Sequence, residues 1–337
     1  MTIQFNNLPP AGVSGPARPF TETDFAASLA SPRSPATVQF PQTLGVDPQD
    51  DLALALPAGQ RRGTTWDPTS ELLKVANGPE LKTRLDISIY LKAKGIPEAE
   101  VDTTMAWLDK QGADYAEIGG LIDKQLSFDR DVNDVLGAVQ AYGVLLEGRN
   151  LHVPGTDSAH YNEVMAGLRD GRIRIDKDTG TDMSDVAGRY RFQDDTVYLT
   201  SDFKVGSVYE RSVLFHELIH TGQDVSHEHD RTANKPQFKE AEVEAYKAQG
   251  AFLVKSGYKP EQGELKGHKI LNPALRYAQW QAYEKQLLTK NPPDMAKVLK
   301  AREQMEKLEE DIGYHVWHAY DSADKPLTAD GLHTHHH

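Results

Sequence analysis

The string Val213-Leu214-Phe215-His216-Glu217-Leu218-Ile219-His220 constrains this chain more than any other. Its apolar positions predict a mostly buried helix, yet the same helix must carry two histidines and a glutamate. Residues four apart share one face of a helix about one turn up, so His216 and His220 can present two imidazoles to a single point. Glu217 is rotated away from that axis by roughly 100°. Burying three such groups is costly unless something pairs them, and a metal ion would do so. Zinc takes neutral imidazole nitrogens, keeps an open position in catalytic sites and lowers the pKa of a bound water towards ~7. Glu217 misses the metal but can reach that water, first as a general base and then as proton donor to a leaving amine. The alternative for the same residues is a satisfied core pair without a metal.

Two histidines leave a catalytic zinc one protein ligand short. An HExxHxxGxxH continuation would need Gly at 223 and His at 226, where this chain has Gln223 and Ser226, so the metzincin class is disfavoured. His227 and His229 follow closely and are read as loop residues beyond the motif helix. The better source is the acidic run Glu240-Ala241-Glu242-Val243-Glu244-Ala245-Tyr246, which with Pro236 before it predicts a second helix reaching Leu253. Glu242 and Glu244 differ by about 200° around a helix axis, so only one can face the metal. Glu242 is chosen because Glu-Val-Glu-Ala resembles the E-x-x-A arrangement of glutamate-ligand zinc peptidases. Glu240 is the alternative ligand, with a spacing that resembles thermolysin's. Tyr246, one turn after Glu242, is expected behind the ligands, hydrogen-bonded to one of them.

Composition narrows the partners. With 37 basic and 50 acidic residues the net charge is −13, which argues against nucleic acid or an anionic membrane as the main partner. There is no cysteine, so neither a disulfide framework nor a thiolate ligand is available. No apolar run approaches the ~18–20 residues of a membrane span. The first residues, Met1 to Asn7, lack the basic and apolar parts of a Sec-type signal. Thr334-His335-His336-His337 reads as part of an affinity tag and stays out of the metal argument.

Along the chain, residues 1–66 hold nine of the nineteen prolines, with Ser, Thr, Ala and Gln between them and no acidic residue before Glu22. This reads as a disordered leader. From 67 to 150 the pattern is helical: a start at Pro68, a second helix beginning at Pro97-Glu98 after Gly95, and apolar stripes at Leu81, Leu85, Ile89 and at Val132, Leu136, Val139. Residues 151–330 change character. A helix near 158–169 precedes Arg172–Asp176, which alternates as a strand does. Arg189–Phe192 and Thr196–Thr200, separated by a short polar turn, predict a hairpin. The motif helix is expected over about 207–223, and long helices near 273–289 and 293–318 complete the chain. The fold class is therefore α+β and mainly helical, with a helical N-terminal lobe, a small antiparallel sheet and the HExxH helix.

From about 150 to 255, the HExxH helix, preceding hairpin and downstream glutamate resemble a gluzincin-type zinc metallopeptidase. With the Pro/Ser-rich leader, the string His216–Gln223 and the Glu-Val-Glu-Ala run are similar to secreted zinc metallopeptidase effectors or toxins of Gram-negative bacteria. The resemblance implies a zincin-like catalytic domain with one Zn2+ per chain, held by His216, His220 and a glutamate. It also implies endopeptidase activity on a protein or peptide substrate, in a host or target cell. In zincins an edge strand pairs with the substrate, and residues 196–200 are expected to be that strand. A Tyr or His usually stabilises the oxyanion; His268, Tyr277, Tyr283, Tyr314 and His315 are the candidates. Secretion would proceed without a Sec-type signal, and a cytoplasmic location stays open.

The competing class is a non-catalytic metal-binding or protein-interaction module; metal-dependent hydrolysis of a non-peptide amide is a third, weaker reading. The composition of residues 1–66 cannot bury enough apolar surface to offset chain entropy. Limited proteolysis should therefore trim the leader first and leave a stable fragment beginning near 60–70. A truncated chain starting at residue 67 that fails to fold would show the leader to be part of the structure.

Overall fold

The structure, a computed structural model, describes residues 81–177, 188–191, 194–225, 235–260 and 265–321. By contact clustering the chain divides into Met1–Thr65 and Trp66–His337, and every described residue belongs to the second unit. The expected leader, the helix start at Pro68, and His227 and His229 lie outside the described residues.

The first helices are set by local caps. In α1 (Arg84–Ala93) the Thr83 hydroxyl accepts from the Asp86 N–H while the Asp86 carboxylate accepts from the Thr83 N–H, a reciprocal capping box. α2 (Glu98–Gln111) follows Pro97 and ends at Gly112, whose φ of 69° is left-handed. Asp114 caps α3 (Tyr115–Leu126), Asp131 caps α4 (Val132–Asn150) and Ser158 caps α5 (Ala159–Arg169). Of the stripe expected at Leu81, Leu85 and Ile89, Leu81 is buried, Ile89 is half-buried and Leu85 is exposed. Leu81 precedes the cap at Thr83, so the four-residue count crosses a helix boundary; Leu85 is 66% exposed, and Ile87, Tyr90 and Leu91 face the core.

Three short strands follow: β1 (Arg174–Lys177), β2 (Gly188–Arg191) and β3 (Thr196–Leu199), in the order β1-β3-β2. The hairpin forms as expected, with β2 antiparallel to β3 and Tyr190 opposite Val197. β1, however, runs parallel to β3, with Ile175 opposite Val197. The sheet is thus mixed rather than antiparallel, and 196–199 is its central strand rather than an edge. A hairpin signal fixes one neighbour of a strand and is silent about the other. The Thr-Val-Tyr-Leu run, buried at every position, is the mark of a strand enclosed on both sides.

α6 (Val208–Val225) carries the motif, and α7 (Lys235–Lys255) the acidic run. α8 (Leu271–Leu288) and α9 (Met295–Asp321) follow close to their expected limits. No helix among the described residues is long and apolar enough to cross a membrane.

One continuous core runs from Leu81 to Ala278, so residues 84–150 share their interior with the motif helix instead of closing on their own. α4 is the centre of it, and close approach depends on its glycines. A Cβ at Gly148 would stand 2.5 Å from the Phe215 ring, and one at Gly143 would stand 2.6 Å from Trp107 and Leu108. A second, smaller cluster joins α7 to α8 and α9 through Val243, Leu253, Leu275 and Ile312.

α6 is tied to α4 by a buried ion pair. The Arg211 guanidinium donates to both oxygens of Glu147 at 2.6 and 3.0 Å and to the Val205 carbonyl at 2.7 Å. Trp107 donates to Glu147 from its indole at 3.3 Å. Glu147→Ala would leave a buried guanidinium uncompensated, which typically costs about 3–5 kcal/mol. Urea unfolding should show that loss, and an unchanged midpoint would mean the pair does not hold α6.

Candidate metal centre

α6 and α7 lie side by side and antiparallel, with polar contacts at three levels. At one end Gln249 donates to the Ser212 hydroxyl at 3.2 Å. At the other, the Gln223 amide nitrogen donates to the Ala241 carbonyl and to Glu244, both at 3.1 Å. Between these levels sit His216, His220 and Glu242, all buried, with Glu242 fully so. Four-residue spacing brings the two imidazoles to one face of α6, and helix phase brings Glu242 across from α7.

His216 Nε2 and His220 Nε2 are 3.0 Å apart. The Glu242 carboxylate straddles them, with Oε2 at 3.5 Å from His216 and Oε1 at 3.3 Å from His220. A tetrahedral zinc with N and O ligands at ~2.0–2.2 Å would set its ligand atoms about 3.3–3.5 Å apart. The three observed separations fall within a few tenths of an ångström of that range. Two imidazoles and one carboxylate are also the borderline donor set that zinc accepts. These three residues could hold a metal ion, and among the described residues they form the only such group.

Glu217 is fully buried on the same helix, turned towards the sheet. Its Oε2 accepts the Tyr190 N–H at 2.8 Å, so the outward edge of β2 holds this carboxylate. β2 approaches α6 closely at Gly188, where a Cβ would stand 3.2 Å from Glu217 Cγ and 3.0 Å from Val213. The Tyr190 hydroxyl donates to Asp224 near the end of α6 at 2.7 Å. Burial, reinforced by Asp224 and Asp195, raises its pKa far above the usual phenol range and keeps it a donor.

The remaining expected residues divide. The Tyr246 ring packs edge-on against the His216 imidazole, with centroids 4.5 Å apart. Burial first, then the charges of Glu242 and Glu217, raises its pKa well above the ordinary value, so the phenol stays protonated beside both carboxylates. Glu240 is exposed, about 200° around α7 from Glu242. His268 accepts the Leu271 N–H at 3.1 Å, at the start of α8. Tyr277 lies under the Lys247 ammonium at 4.7 Å, and Tyr283 packs against Trp280. Tyr314 is 57% exposed beside His318, and His315 lies 3.5 Å from Asp311. These contacts of His268, Tyr277, Tyr283, Tyr314 and His315 are made with residues other than His216, Glu217, His220 and Glu242.

Two participants escaped the sequence reading. Gln223 receives His220: its Oε1 is 2.8 Å from His220 Nδ1. The signal was present, since residues three apart on a helix are neighbours. Tyr190 acts on Glu217 through its backbone, which no side-chain identity reveals.

Residues 165–263 match the family profile of a domain of unknown function (DUF6647), a stretch that includes the sheet, α6 and α7 and therefore every residue of the centre. No curated protein and no solved structure matches the chain.

The geometry separates the two glutamates on α7. Purified protein should carry about one zinc per chain, and Glu242→Ala should weaken zinc binding beyond the 10–100-fold typical of outer-shell changes. Glu240→Ala should leave zinc affinity as it was. Chelator competition on the two variants decides between them, and the reverse pattern would move the third ligand by two residues.

Proposed function

We propose that this chain is a zinc-dependent endopeptidase with a zincin-like catalytic domain of the gluzincin type. The observation that carries this reading is the meeting of His216, His220 and Glu242 from two antiparallel helices, with Glu217 on the same helix as the histidine pair. A purely structural zinc site closes its coordination with protein ligands and has no use for a general base beside it. Three protein ligands and an adjacent carboxylate are the composition of a catalytic site.

When bound there, zinc would supply a Lewis acid that lowers the pKa of water and polarises a carbonyl. Glu217 takes a proton from the attacking water and returns it to the departing amine, so one carboxylate serves both halves of the reaction. The Tyr190 N–H, 2.8 Å from Oε2, fixes the orientation of that carboxylate. Tyr246, its phenol kept protonated by burial, packs its ring against the His216 imidazole. We extend the proposal to secretion without a Sec-type signal, and to action on proteins of another cell, on the resemblance to secreted metallopeptidase effectors; a cytoplasmic location stays open.

The Tyr190–Glu217 hydrogen bond also favours a second reading, in which Glu217 is a structural tie between β2 and α6 in a non-catalytic metal-binding or interaction module. Glu217→Gln separates the two. It keeps size, and its amide oxygen can still accept the Tyr190 N–H, but it removes the base. We expect zinc content and thermal stability to be retained while cleavage of an unfolded protein or peptide library falls by at least ~10²–10⁴-fold, the usual share of general-base catalysis. Zinc-loaded wild type that cleaves no peptide bond in such a library would favour the non-catalytic module.

A further inference from the structure

Gln223 is buried in the last turns of α6 and uses both ends of its amide. The orientation of that amide follows from its neighbours. The Ala241 carbonyl can only accept a hydrogen bond, and the Glu244 carboxylate accepts when ionised, so the NH2 end faces them at 3.1 Å each. Oε1 must then face His220, 2.8 Å from Nδ1. An amide oxygen only accepts, so Nδ1 carries the hydrogen. In a neutral imidazole that leaves Nε2 as the lone-pair nitrogen. Nε2 is the atom that faces His216 Nε2 and Glu242 Oε1.

We propose that Gln223 is the positioning residue of this centre: one amide sets the tautomer and ring angle of His220 and, through Ala241, the register of the helix that delivers Glu242. This deepens the metal-site reading and rests on it. Ala241 immediately precedes Glu242, so a shift of α7 along α6 large enough to break the Gln223–Ala241 bond also moves the third ligand. The two ligands therefore take their positions from one side chain, and the choice of glutamine over a carboxylate follows. A carboxylate could accept from His220 but could not donate to Ala241, and it would face Glu244 as a like charge.

The test uses Gln223→Met, which keeps length and helix preference but removes all three hydrogen bonds, and Gln223→Glu, which keeps the acceptor towards His220 alone. Two quantities are measured on the full chain: zinc affinity by chelator competition, and the His220 tautomer in metal-free protein from long-range 15N–1H correlations. Wild type should show hydrogen on Nδ1. Gln223→Met should lose that preference and bind zinc about 10–100-fold more weakly, the range seen when an imidazole loses its outer partner. Gln223→Glu should keep the tautomer and bind zinc more tightly than Gln223→Met but less tightly than wild type, because the tie to Ala241 is lost; a merely structural role would not give that partial rescue. Wild-type tautomer and affinity in Gln223→Met overturn the proposal while leaving the metal site intact. Equal loss in both variants overturns the tautomer role. Should Gln223→Met not fold, Gln223→Glu against wild type decides alone: a kept tautomer with weakened zinc binding supports the proposal, and a changed tautomer or undiminished affinity overturns it. Wild type that takes up no zinc overturns the metal-site reading itself, a result distinguishable from either of the others.

Discussion

Everything in this structure that bears on function depends on one packing problem, the burial of two imidazoles and two carboxylates between α6, α7 and β2. His216 and His220 are at most 3% exposed, and Glu217 and Glu242 are at 0%. Ionised carboxylates removed from water are among the most expensive groups a core can hold, and they persist only when hydrogen-bonded or balanced by opposite charge. Arg211, a buried cation on the same helix, is committed to Glu147 through two hydrogen bonds. The Glu217 carboxylate accepts the Tyr190 N–H. A divalent cation at the meeting point of His216, His220 and Glu242 would compensate both carboxylates at once. The cost of the arrangement and its capacity for chemistry thus have the same origin.

The scaffold around this layer is rigid in the places where the layer needs it. α4 lies against α6 closely enough that Gly148 leaves no room for a methyl group beside Phe215, and Phe215 immediately precedes His216. The Arg211–Glu147–Trp107 contact fixes the start of α6, while Tyr190 and Asp224 hold its end to the sheet. Functional groups mounted on helices that are locked by packing and outer-shell hydrogen bonds hold their geometry better than groups on loops. Here the ligands come from two helices and the candidate base is steered by a strand, so each side chain is aimed by an element with its own supports.

Much of this was readable in the residues, and what was not has a consistent cause. His216, Glu217 and His220 announce themselves because their spacing and the helix period are the same fact. Glu242 was preferred to Glu240 because Glu-Val-Glu-Ala resembles an E-x-x-A arrangement, and it is the fully buried Glu242 whose carboxylate lies against the histidines. The limits of α6, α8 and α9 lie within a few residues of those expected. The strand order did not, because alternation identifies a strand without naming its neighbours, and β1 reaches β3 only after the chain has formed β2. Leu85 was misassigned because a four-residue spacing was counted through the cap at Thr83. Gln223 shares a helix face with His220, but its meaning depends on Ala241 in another helix, and the Tyr190 contact is made by a backbone atom. What the residues alone conceal is tertiary: which element comes to lie against which.

That distinction bears on how stability and ligand binding are joined in this molecule. α7 contributes to two clusters, Phe252 to the large core and Leu253 to the smaller one shared with α8 and α9. Those apolar contacts hold α7 in place, but they tolerate small sliding, since side-chain packing is non-directional. Directional contacts fix its register against α6: Ser212 with Gln249 at one level and Gln223 with Ala241 at another. The Glu242–histidine layer lies between those two levels. A cation bound by His216, His220 and Glu242 would add a third directional tie between the same helices, and whatever binds the native state alone stabilises it by mass action. Docking of α7 onto α6 and formation of the metal site are then one equilibrium: the register that α7 adopts is the register that completes the centre.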